Sequence, residues 1–373
     1  MENKHILFVF RSLGTGGAQK VQAFVANACV EKGYQVTIIS MSKEHCTLDI
    51  DKKIKILTLD YDRVIKKGNS KYKIFLNKMS YLKDFRDLCV KLEPDLVCSF
   101  LSDIVRLTVL ALNKTNIPIL GSERADPGQF NEKKIKQYNK AFNKCKGIVF
   151  QLQSAADAYT IKENVLTKVI PNPAIKRNNE QIMSRAIEYQ NDAKTIFSGG
   201  RLTKQKRFDL LIEAFALVKK EHPEYVLKLY GDGPEMEKLV NLVDKLNLKE
   251  SVTFLGDVSN IFFDSNKNDI FVLTSDFEGI PNVITEALLE GIPCISTDCS
   301  PGGARLLLDN GKAGDIVEVG NIKQLSSSII KYIKNPEYVA KKVNYGKQYI
   351  KKFAPNKIKQ EWIDIIERIL NDE

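Results

Sequence analysis

Short apolar runs alternate with longer segments of helical periodicity along the whole chain. The first run, Ile6 to Phe10, is continuously apolar, as expected for a strand buried on both faces, and a helical pattern starts at Ala18. The alternation repeats through both halves of the chain, which is typical of βα units around parallel sheets. We therefore predict an α/β fold of two doubly wound, Rossmann-like domains that face each other across a central cleft.

The predicted strands are Val- and Ile-rich runs bounded by turn residues. In the first half they are His5–Phe10, Gln35–Ser40, Ile54–Leu59, Leu96–Ser99, Ile117–Ser122 and Gly147–Phe150. In the second half they are Thr195–Ser198, Val226–Tyr230, Val252–Leu255, Ile270–Leu273, Pro293–Ser296 and Asp315–Val317. Ligands of such sheets bind beyond the carboxyl ends of the strands, so the loops that leave these runs are the expected functional loops.

Chain length and proline placement divide the sequence into domains. A chain of 373 residues exceeds what one core usually supports. Pro171-Asn172-Pro173 interrupts regular structure and is followed by a polar stretch, which is typical of a linker. We predict domains over residues 1–172 and 194–354, a linker over 173–193, and a final helix within 355–373 whose apolar stripe needs a partner.

Composition excludes several classes of protein. No apolar run approaches the roughly 18 residues of a membrane span, and the first run is too short for a signal-peptide core, which predicts a cytoplasmic protein. The seven cysteines contain no C-x-x-C pair, so reduced thiols are expected. The three histidines have no zinc-ligand spacing, and we predict neither a metal site nor a cofactor.

The positive charge is confined to the first half. Residues 1–172 carry 28 lysines and arginines against 17 acidic residues, a net charge of +11, while the remainder carries −1. A polyanionic neighbour or a merely solvated basic face explains this asymmetry. Between Arg63 and Lys91 the lysines alternate with aromatic and aliphatic residues, which suits either an anionic membrane surface or a helix packed on its own sheet. No nucleic-acid-binding module is recognisable.

Three loops are candidate phosphate or nucleotide sites because glycines follow a predicted strand. The first contains Gly14, Gly16 and Gly17, whose amides can approach an anion. The second contains Gly200, Arg201 and Lys206, and the two cations can reach a diphosphate. The third contains Gly231 and Gly233, where an ordinary tight turn is the competing explanation.

A fourth loop joins a strand to a helix and carries two carboxylates. It contains Glu278, then Gly279-Ile280-Pro281-Asn282-Val283, then Glu286, with Asn282 as the expected N-cap of the helix. Free amides at the helix start favour a phosphate, while Glu278 and Glu286 can accept hydrogen bonds from sugar hydroxyls. A site for a sugar nucleotide explains this arrangement better than an ordinary capped helix with solvated acidic residues does.

Taken in order, these motifs resemble the retaining transferases of glycosyltransferase family 4, which have the GT-B fold. The resemblance runs through the whole chain. Within the family, the sequence is most similar to a branch that is common among bacterial polysaccharide-assembly enzymes. It implies that the first domain binds the acceptor, that the second binds the nucleotide sugar, and that the last helix packs back on the first domain. It also implies that Arg201 and Lys206 stabilise the leaving diphosphate. Glu278 and the segment Gly279–Pro281 would hold the donor sugar, and Glu286 the ribose.

Two departures from the family pattern affect the site. Many relatives have a histidine after the strand equivalent to Ile117–Ser122, whereas this chain has Glu123 and Arg124, which become candidates for the cleft. Arg305 also stands where many relatives carry a glutamate, so the role of the preceding glycine loop is open.

The expected activity is therefore metal-independent transfer of a hexosyl or N-acetylhexosaminyl group to a glycan or lipid-linked acceptor. Two alternatives stay open: a non-catalytic nucleotide-sugar-binding subunit of a transferase complex, and a sugar-nucleotide epimerase. The Asp-x-Asp matches at residues 49–51 and 60–62 are too short to favour a metal-dependent transferase.

Overall fold

The structure, a computed structural model, describes residues 4–14, 16–61, 70–176, 194–258, 260–262, 265 and 269–371. The chain forms two compact units. Unit 1 comprises residues 1–173 and 355–373, and unit 2 comprises residues 174–354. Most of the predicted linker, residues 177–193, lies outside the described residues.

Unit 1 is built on a seven-stranded sheet with the order β3-β2-β1-β4-β5-β6-β7. All of its pairings are parallel. Its strands are β1 (His5–Phe10), β2 (Gln35–Ser40), β3 (Lys55–Thr58), β4 (Leu96–Phe100), β5 (Ile119–Glu123), β6 (Gly147–Phe150) and β7 (Leu166–Val169). The order reverses between β1 and β4, which is the position where doubly wound sheets bind ligands.

Helices cover both faces of this sheet, so its central strands are buried on both sides. The helices are α1 (Gly17–Glu31), α2 (Lys71–Leu92), α3 (Ser102–Leu112), α4 (Glu132–Phe142), α5 (Gln153–Ala156) and the C-terminal α12 (Pro355–Leu370). Strand β1 illustrates the pattern, because Phe8 packs in the core under α1 and Val9 packs in the core under α2 and α3.

Helix α12 belongs to unit 1 although it follows unit 2 in sequence. Its apolar stripe packs against strands β1 and β4 and helix α1 within one core. Trp362 is fully buried and stacks on Phe100 with ring centroids 5.3 Å apart. The aromatic pair therefore ties the C-terminal helix to the middle of the sheet.

Unit 2 contains a six-stranded parallel sheet with the order β10-β9-β8-β11-β12-β13. Its strands are β8 (Lys194–Gly199), β9 (Tyr225–Tyr230), β10 (Val252–Phe254), β11 (Ile270–Leu273), β12 (Cys294–Thr297) and β13 (Asp315–Val317). Its helices are α6 (Phe208–Glu221), α7 (Met236–Lys245), α8 (Asn282–Glu290), α9 (Gly303–Leu307), α10 (Ile322–Lys334) and α11 (Pro336–Tyr349). The order reverses between the paired strands β8 and β11.

The predicted fold class, two doubly wound parallel sheets, is confirmed. One strand was missed and one local expectation was wrong. Strand β7 was not predicted, because this half-buried edge strand contains Thr167 and Lys168 among its four residues. Helix α8 begins at Asn282 itself with Pro281 in the cap position, so Asn282 is not the N-cap and no side chain caps the first turn.

Candidate active site

The best-defined group of predicted site residues lies in unit 2, at the carboxyl edge of β8 and β11. The two strands are parallel neighbours, with Ile270 paired to Ile196 and Phe271 to Phe197. The loops that leave them must therefore emerge side by side. One loop carries Gly200 to Lys206, and the other carries Thr274 to Pro281 before helix α8 starts.

Lys206 and Glu278 meet where these loops adjoin. Lys206 Nζ donates to Glu278 Oε1 over 2.5 Å, and the side chains are 19% and 14% exposed. The hydroxyl of Ser275 donates to the same carboxylate oxygen over 2.8 Å. The pair is thus partly shielded from water yet still reachable, which strengthens its electrostatic interaction compared with a surface ion pair.

Main-chain and side-chain hydrogen bonds join the two loops around this pair. Thr274 Oγ1 donates to the carbonyl of Lys206 over 2.8 Å. The side chain of Gln205 donates to the carbonyl of Phe277 over 2.7 Å, and the amide of Asp276 donates back to the carbonyl of Gln205 over 2.9 Å. These contacts fix the separation of the two loops, so Lys206 and Glu278 are held in register by the backbone as well as by their charges.

Arg207 adds an ionic link between the same loops. Its guanidinium binds Asp209 at the start of α6 and also donates to Asp276 over 3.2 Å. The hydrogen bonds to Asp209 are the main reason that the pKa of Arg207 lies above its ordinary value. Its φ of +49° is in the left-handed region, which is unfavourable for a residue with a side chain. A strained turn therefore directs the chain from Lys206 into helix α6.

Glycines allow a third loop to approach the Lys206 loop. Gly231 has a φ of +121°, and a Cβ atom there would lie 2.0 Å from the carbonyl oxygen of Gly200. A Cβ atom at Gly233 would lie 2.3 Å from the carbonyl oxygen of Leu202. The sequence-predicted glycines 200, 231 and 233 are thus brought together, and their first effect is to permit close backbone packing.

The start of helix α8 completes this edge of unit 2. Amides of Ile284 and Thr285 donate to the carbonyl of Pro281 over 3.0 and 3.4 Å, and the first turn contains no acidic residue. The positive end of the helix dipole therefore has no neutralising side chain in its own first turn. Gly279 lies against the next loop, since a Cβ atom at Gly303 would be 1.8 Å from the Gly279 carbonyl oxygen.

Glu286 lies one turn into α8 and is 9% exposed. It lines a small cavity with residues from the start of the predicted linker, from the loop after β10 and from α8 itself. The lining residues are Lys176, Asn260, Phe262, Glu286, Leu289 and Glu290. Lys176 and Glu290 form an ion pair of 3.2 Å at this cavity. The carboxylate that the sequence suggested for a ribose thus borders a small, partly open pocket.

Arg201, a predicted site residue, and Arg305, whose role the sequence left open, differ in their surroundings. Arg201 is exposed, and its side chain has no hydrogen bond or ion pair to the residues that the structure describes. Arg305 binds Asp298, with Nε and Oδ1 3.0 Å apart, and this contact holds the pKa of Arg305 above its ordinary value. Arg201 is therefore available to an anion, whereas Arg305 is paired within the protein.

In unit 1, Gly16 and Gly17 lie at the start of α1, after the loop that leaves β1. Gly16 occupies the N-cap position in an extended conformation, and no side chain caps the helix. The helix start therefore presents backbone amides at the carboxyl edge of the unit 1 sheet, as the sequence predicts.

Glu123 and Arg124 are buried inside unit 1, at the end of β5. The Glu123 carboxylate accepts hydrogen bonds from the amides of Arg124 and Ala125 and from the hydroxyl of Tyr159. Burial nevertheless raises the pKa of Glu123 to about 7. A direct role for this side chain in binding a substrate stays a prediction.

Arg124 lies beside the stacked rings of Phe100 and Trp362. Its guanidinium carbon is 5.7 Å from the centroid of Phe100 and 5.2 Å from that of Trp362. Nη1 donates to the carbonyl of Ile170 over 3.0 Å and contacts Asn172 Oδ1 at 3.4 Å. These contacts give Arg124 a structural function in unit 1, since they join β5 to α12 and to the end of the first segment of the unit.

Sequence reasoning missed the residues that hold Lys206 and Glu278 in place. Ser275, Gln205 and Arg207 are ordinary polar residues in the sequence, and only their positions next to the predicted site residues distinguish them. The one usable signal was the spacing of Ser275 and Glu278, since residues three apart in a tight loop can share a hydrogen bond. Within the described ranges, no group of three or more His, Cys, Asp or Glu side chains is placed to hold a metal ion.

Comparison with known proteins shows what this chain is similar to. Residues 179–349 match the family model "Glycosyl transferases group 1", which covers most of unit 2. An uncharacterized glycosyltransferase of Haemophilus influenzae is 27% identical over 97% of this chain and 100% of the relative. An alpha-1,4-N-acetyl-D-galactosaminyltransferase of Campylobacter jejuni, whose name gives a diphospho-undecaprenol-linked glycan as its acceptor, is 25% identical over 98% of this chain and 99% of the relative.

Solved structures share the fold over the whole chain. Sucrose-phosphate synthase from Thermosynechococcus elongatus superposes with a TM-score of 0.79 at 14% identity, covering 99% of this chain and 100% of that one. The Anabaena protein HepE in complex with UDP and glucose gives a TM-score of 0.74 at 17% identity, covering 98% and 99%. The fold is the GT-B fold, and the residues that resemble the group 1 glycosyl transferases lie in unit 2.

Proposed function

We propose that this chain is a retaining, metal-independent glycosyltransferase. It moves a sugar from a nucleotide diphosphate sugar to a glycan or lipid-linked glycan in cell-surface polysaccharide assembly. The observation that carries the proposal is the meeting of Lys206 with Glu278 at the position where the strand order of unit 2 reverses. A cation and a carboxylate at such an edge suit a ligand that combines a diphosphate with hydroxyl groups.

Each end of the donor has partners in unit 2. The ammonium of Lys206 and the exposed guanidinium of Arg201 serve the diphosphate, aided by amides at the start of α8, where Asn282 and Val283 lie. Glu278 and the segment Gly279–Pro281 hold the transferred sugar. Glu286 accepts hydrogen bonds from the ribose hydroxyls at the cavity described above. In unit 1, the backbone amides at Gly16 and Gly17 at the start of α1 offer an anion site for a phosphate or the acceptor.

The reaction exchanges one bond for another at the anomeric carbon. The bond from that carbon to the phosphate oxygen breaks, and an acceptor hydroxyl attacks from the same face. The acceptor proton passes to the departing phosphate oxygen, so no separate side-chain base is needed. Charge builds on the leaving diphosphate, and fixed cations beside it stabilise that charge without the reorganisation that water would require. Lys206 and Arg201 supply these cations.

The relatives support a choice of donor and acceptor. The Campylobacter jejuni relative transfers N-acetylgalactosamine to a lipid-linked glycan, as its name states, and the Anabaena structure contains UDP and glucose. We therefore propose a uridine diphosphate hexose or N-acetylhexosamine as the donor and a lipid-linked glycan as the acceptor.

A screen of the purified protein against a panel of sugar nucleotides tests this proposal. The readout is the release of nucleoside diphosphate. We expect release from one donor to rise when a lipid-linked glycan is added, and to continue in EDTA. Loss of activity in EDTA that magnesium or manganese restores would contradict the metal-independent mechanism. Interconversion of sugar nucleotides without transfer would identify an epimerase, and binding without turnover a non-catalytic subunit.

Helix α2 supports a location at an anionic membrane on the cytoplasmic side. Its first half has a continuous exposed apolar stripe at helical spacing, formed by Tyr72, Phe75, Leu76 and Met79, which are 45–70% exposed. The opposite face of the helix, with Tyr81 and Phe85, is fully buried in the core of unit 1. The packing alternative therefore accounts for one face of α2 only.

Exposed lysines flank this stripe, namely Lys73 and Lys78. Basic side chains beside an apolar stripe favour insertion into the headgroup region of anionic lipid, at about 1 kcal/mol per nearby lysine. Lys66 and Lys67, which the sequence also suggested, lie outside the described residues. Within the described part of the chain, no helix has the length and apolar composition needed to cross a bilayer.

Co-sedimentation with vesicles tests this location. We expect binding to rise with the fraction of anionic lipid, to fall as salt screens the surface, and to weaken in a Lys73→Glu, Lys78→Glu variant. The matched control is Lys323→Glu, Lys341→Glu in unit 2, which changes the net charge equally at exposed positions. Equal loss of vesicle binding in both variants would mean that binding depends on the net charge of the protein. The proposal that α2 contacts the membrane would then be wrong.

A further inference from the structure

The Glu278 carboxylate has two side-chain partners of different character. Lys206 Nζ and Ser275 Oγ both donate to Oε1, over 2.5 and 2.8 Å. The described residues make no hydrogen bond to the other oxygen, Oε2. Lys206 reaches Glu278 from the neighbouring loop on a flexible side chain, whereas Ser275 lies three residues before it in the same loop.

The proposed function, on which this inference rests, places competing demands on Lys206. The ammonium has to neutralise the leaving diphosphate, and a strong anion attracts it away from a single carboxylate. Glu278 would then lose its cationic partner at the moment when it has to hold the sugar. Among the described residues, Ser275 is the partner that remains.

Ser275 is held firmly enough to serve as a fixed partner. It is fully buried, and its carbonyl accepts a hydrogen bond of 2.7 Å from Thr297 Oγ1, at the end of the neighbouring strand β12. The preceding residue, Thr274, donates its hydroxyl to the Lys206 carbonyl. Ser275 is thus anchored to strand β12 and, through Thr274, to the backbone of the Lys206 loop rather than to the mobile end of the Lys206 side chain.

We propose that Ser275 is a positioning residue that keeps Glu278 oriented toward the donor sugar while Lys206 turns to the diphosphate. The hydroxyl binds Oε1 in both states, so Oε2 keeps its direction toward the sugar hydroxyls. Lys206 serves as an exchangeable partner and Ser275 as a permanent one. The sugar-binding carboxylate is therefore uncoupled from the movement of the phosphate-binding cation.

Ser275→Ala tests this inference, because it removes the hydroxyl and nothing else. A hydrogen bond to a charged group is strong enough that we expect the KM for the sugar nucleotide to rise about tenfold. The dissociation constant of the free nucleoside diphosphate, which has no sugar, should stay within about twofold of the wild-type value. Ser275→Cys keeps a weak donor of similar size, so its KM for the sugar nucleotide should lie between the values of the wild type and of Ser275→Ala.

Ser296→Ala is the matched control. Ser296 is equally buried in the adjacent strand β12, but its hydroxyl donates to the carbonyl of Thr297 and not to the site. We expect this variant to retain the wild-type KM. If Ser296→Ala raises the KM as much as Ser275→Ala, the effect belongs to the packing of the sheet and the inference is wrong.

A double-mutant cycle with Glu278→Gln separates positioning from other roles. If Ser275 acts through Glu278, adding Ser275→Ala to Glu278→Gln should lower kcat/KM much less than it does in the wild type. Equal losses in the two backgrounds, or equal weakening of nucleoside diphosphate binding, would overturn the inference. A wild-type protein that turns over no sugar nucleotide would instead overturn the proposed function itself.

Discussion

Replacing Lys206 with methionine should separate catalysis from folding stability at the proposed site. Methionine keeps the unbranched shape of the side chain and removes the charge. The change leaves Glu278, 14% exposed, with Ser275 as its remaining hydrogen-bond partner. Breaking a fully buried pair costs about 3–5 kcal/mol, but water reaches these two side chains and the serine stays bound. We therefore expect a loss of about 1–3 kcal/mol in the free energy of unfolding.

The matched variant Glu278→Gln should cost less stability, because the freed lysine can extend into water. The double variant Lys206→Met, Glu278→Gln has no unpaired charge and should regain most of the stability lost by Lys206→Met. Its activity should not return, since the cation beside the diphosphate is still missing. By analogy with the loss of one stabilising donor at an oxyanion site, turnover should fall about 100-fold or more.

Two assays on the same samples decide between the explanations. Thermal unfolding reports stability, with about 2–4 °C expected per kcal/mol for a domain of this size. Release of nucleoside diphosphate reports turnover. If activity recovers with stability in the double variant, Lys206 acts only by holding the fold, and the assignment of the leaving-group role to Lys206 is refuted.

Three further expectations concern other parts of the protein. Glu286→Ala should raise the KM for the sugar nucleotide at least about tenfold with little change in melting temperature, since Glu286 borders a cavity; an unchanged KM would remove it from the site. Phe100→Ala should destabilise unit 1 by about 3–5 kcal/mol, measured through the fluorescence of Trp362, the only tryptophan. Tyr72→Ala in the same unit, at a side chain that is 70% exposed, should have little effect on the free energy of unfolding. Burial raises the pKa of Glu123 to about 7, so the folded state binds its proton more tightly than the unfolded state and stability should fall as pH rises from about 4.5 through 7. In Glu123→Gln the free energy of unfolding should depend less on pH over this range. An unchanged pH dependence would contradict the raised pKa of Glu123.

The order of apolar runs was enough to predict both sheets and most strand positions. Strand β1 is buried on both faces and is apolar from Ile6 to Phe10, a pattern that alternating surface strands do not have. Edge strand β7 is only partly buried and contains polar residues, so its sequence lacks the apolar run that predicts a strand. Sequence therefore reports a strand in proportion to how much apolar surface the strand must bury.

The site itself was predictable in part for a topological reason. Lys206 and Glu278 are far apart in sequence, but each follows a strand of the same parallel sheet, so the two loops had to emerge at one edge. Their direct contact was not predictable. It depends on the left-handed turn at Arg207 and on hydrogen bonds from Thr274 and Gln205, and no periodic pattern encodes these.

Glu123 and Arg124 illustrate how a distant segment can change the meaning of a local motif. Their place at the end of β5 made them candidates for the cleft, by the same rule that led to Lys206 and Glu278 in unit 2. In unit 1, however, helix α12 returns from the far end of the chain and lays Trp362 over the Arg124 guanidinium, while Phe100 lies within 5.7 Å of it. The rule identifies the loops at the correct edge of the sheet, but which side chains remain accessible there depends on what packs against that edge, and that information lies in the last helix.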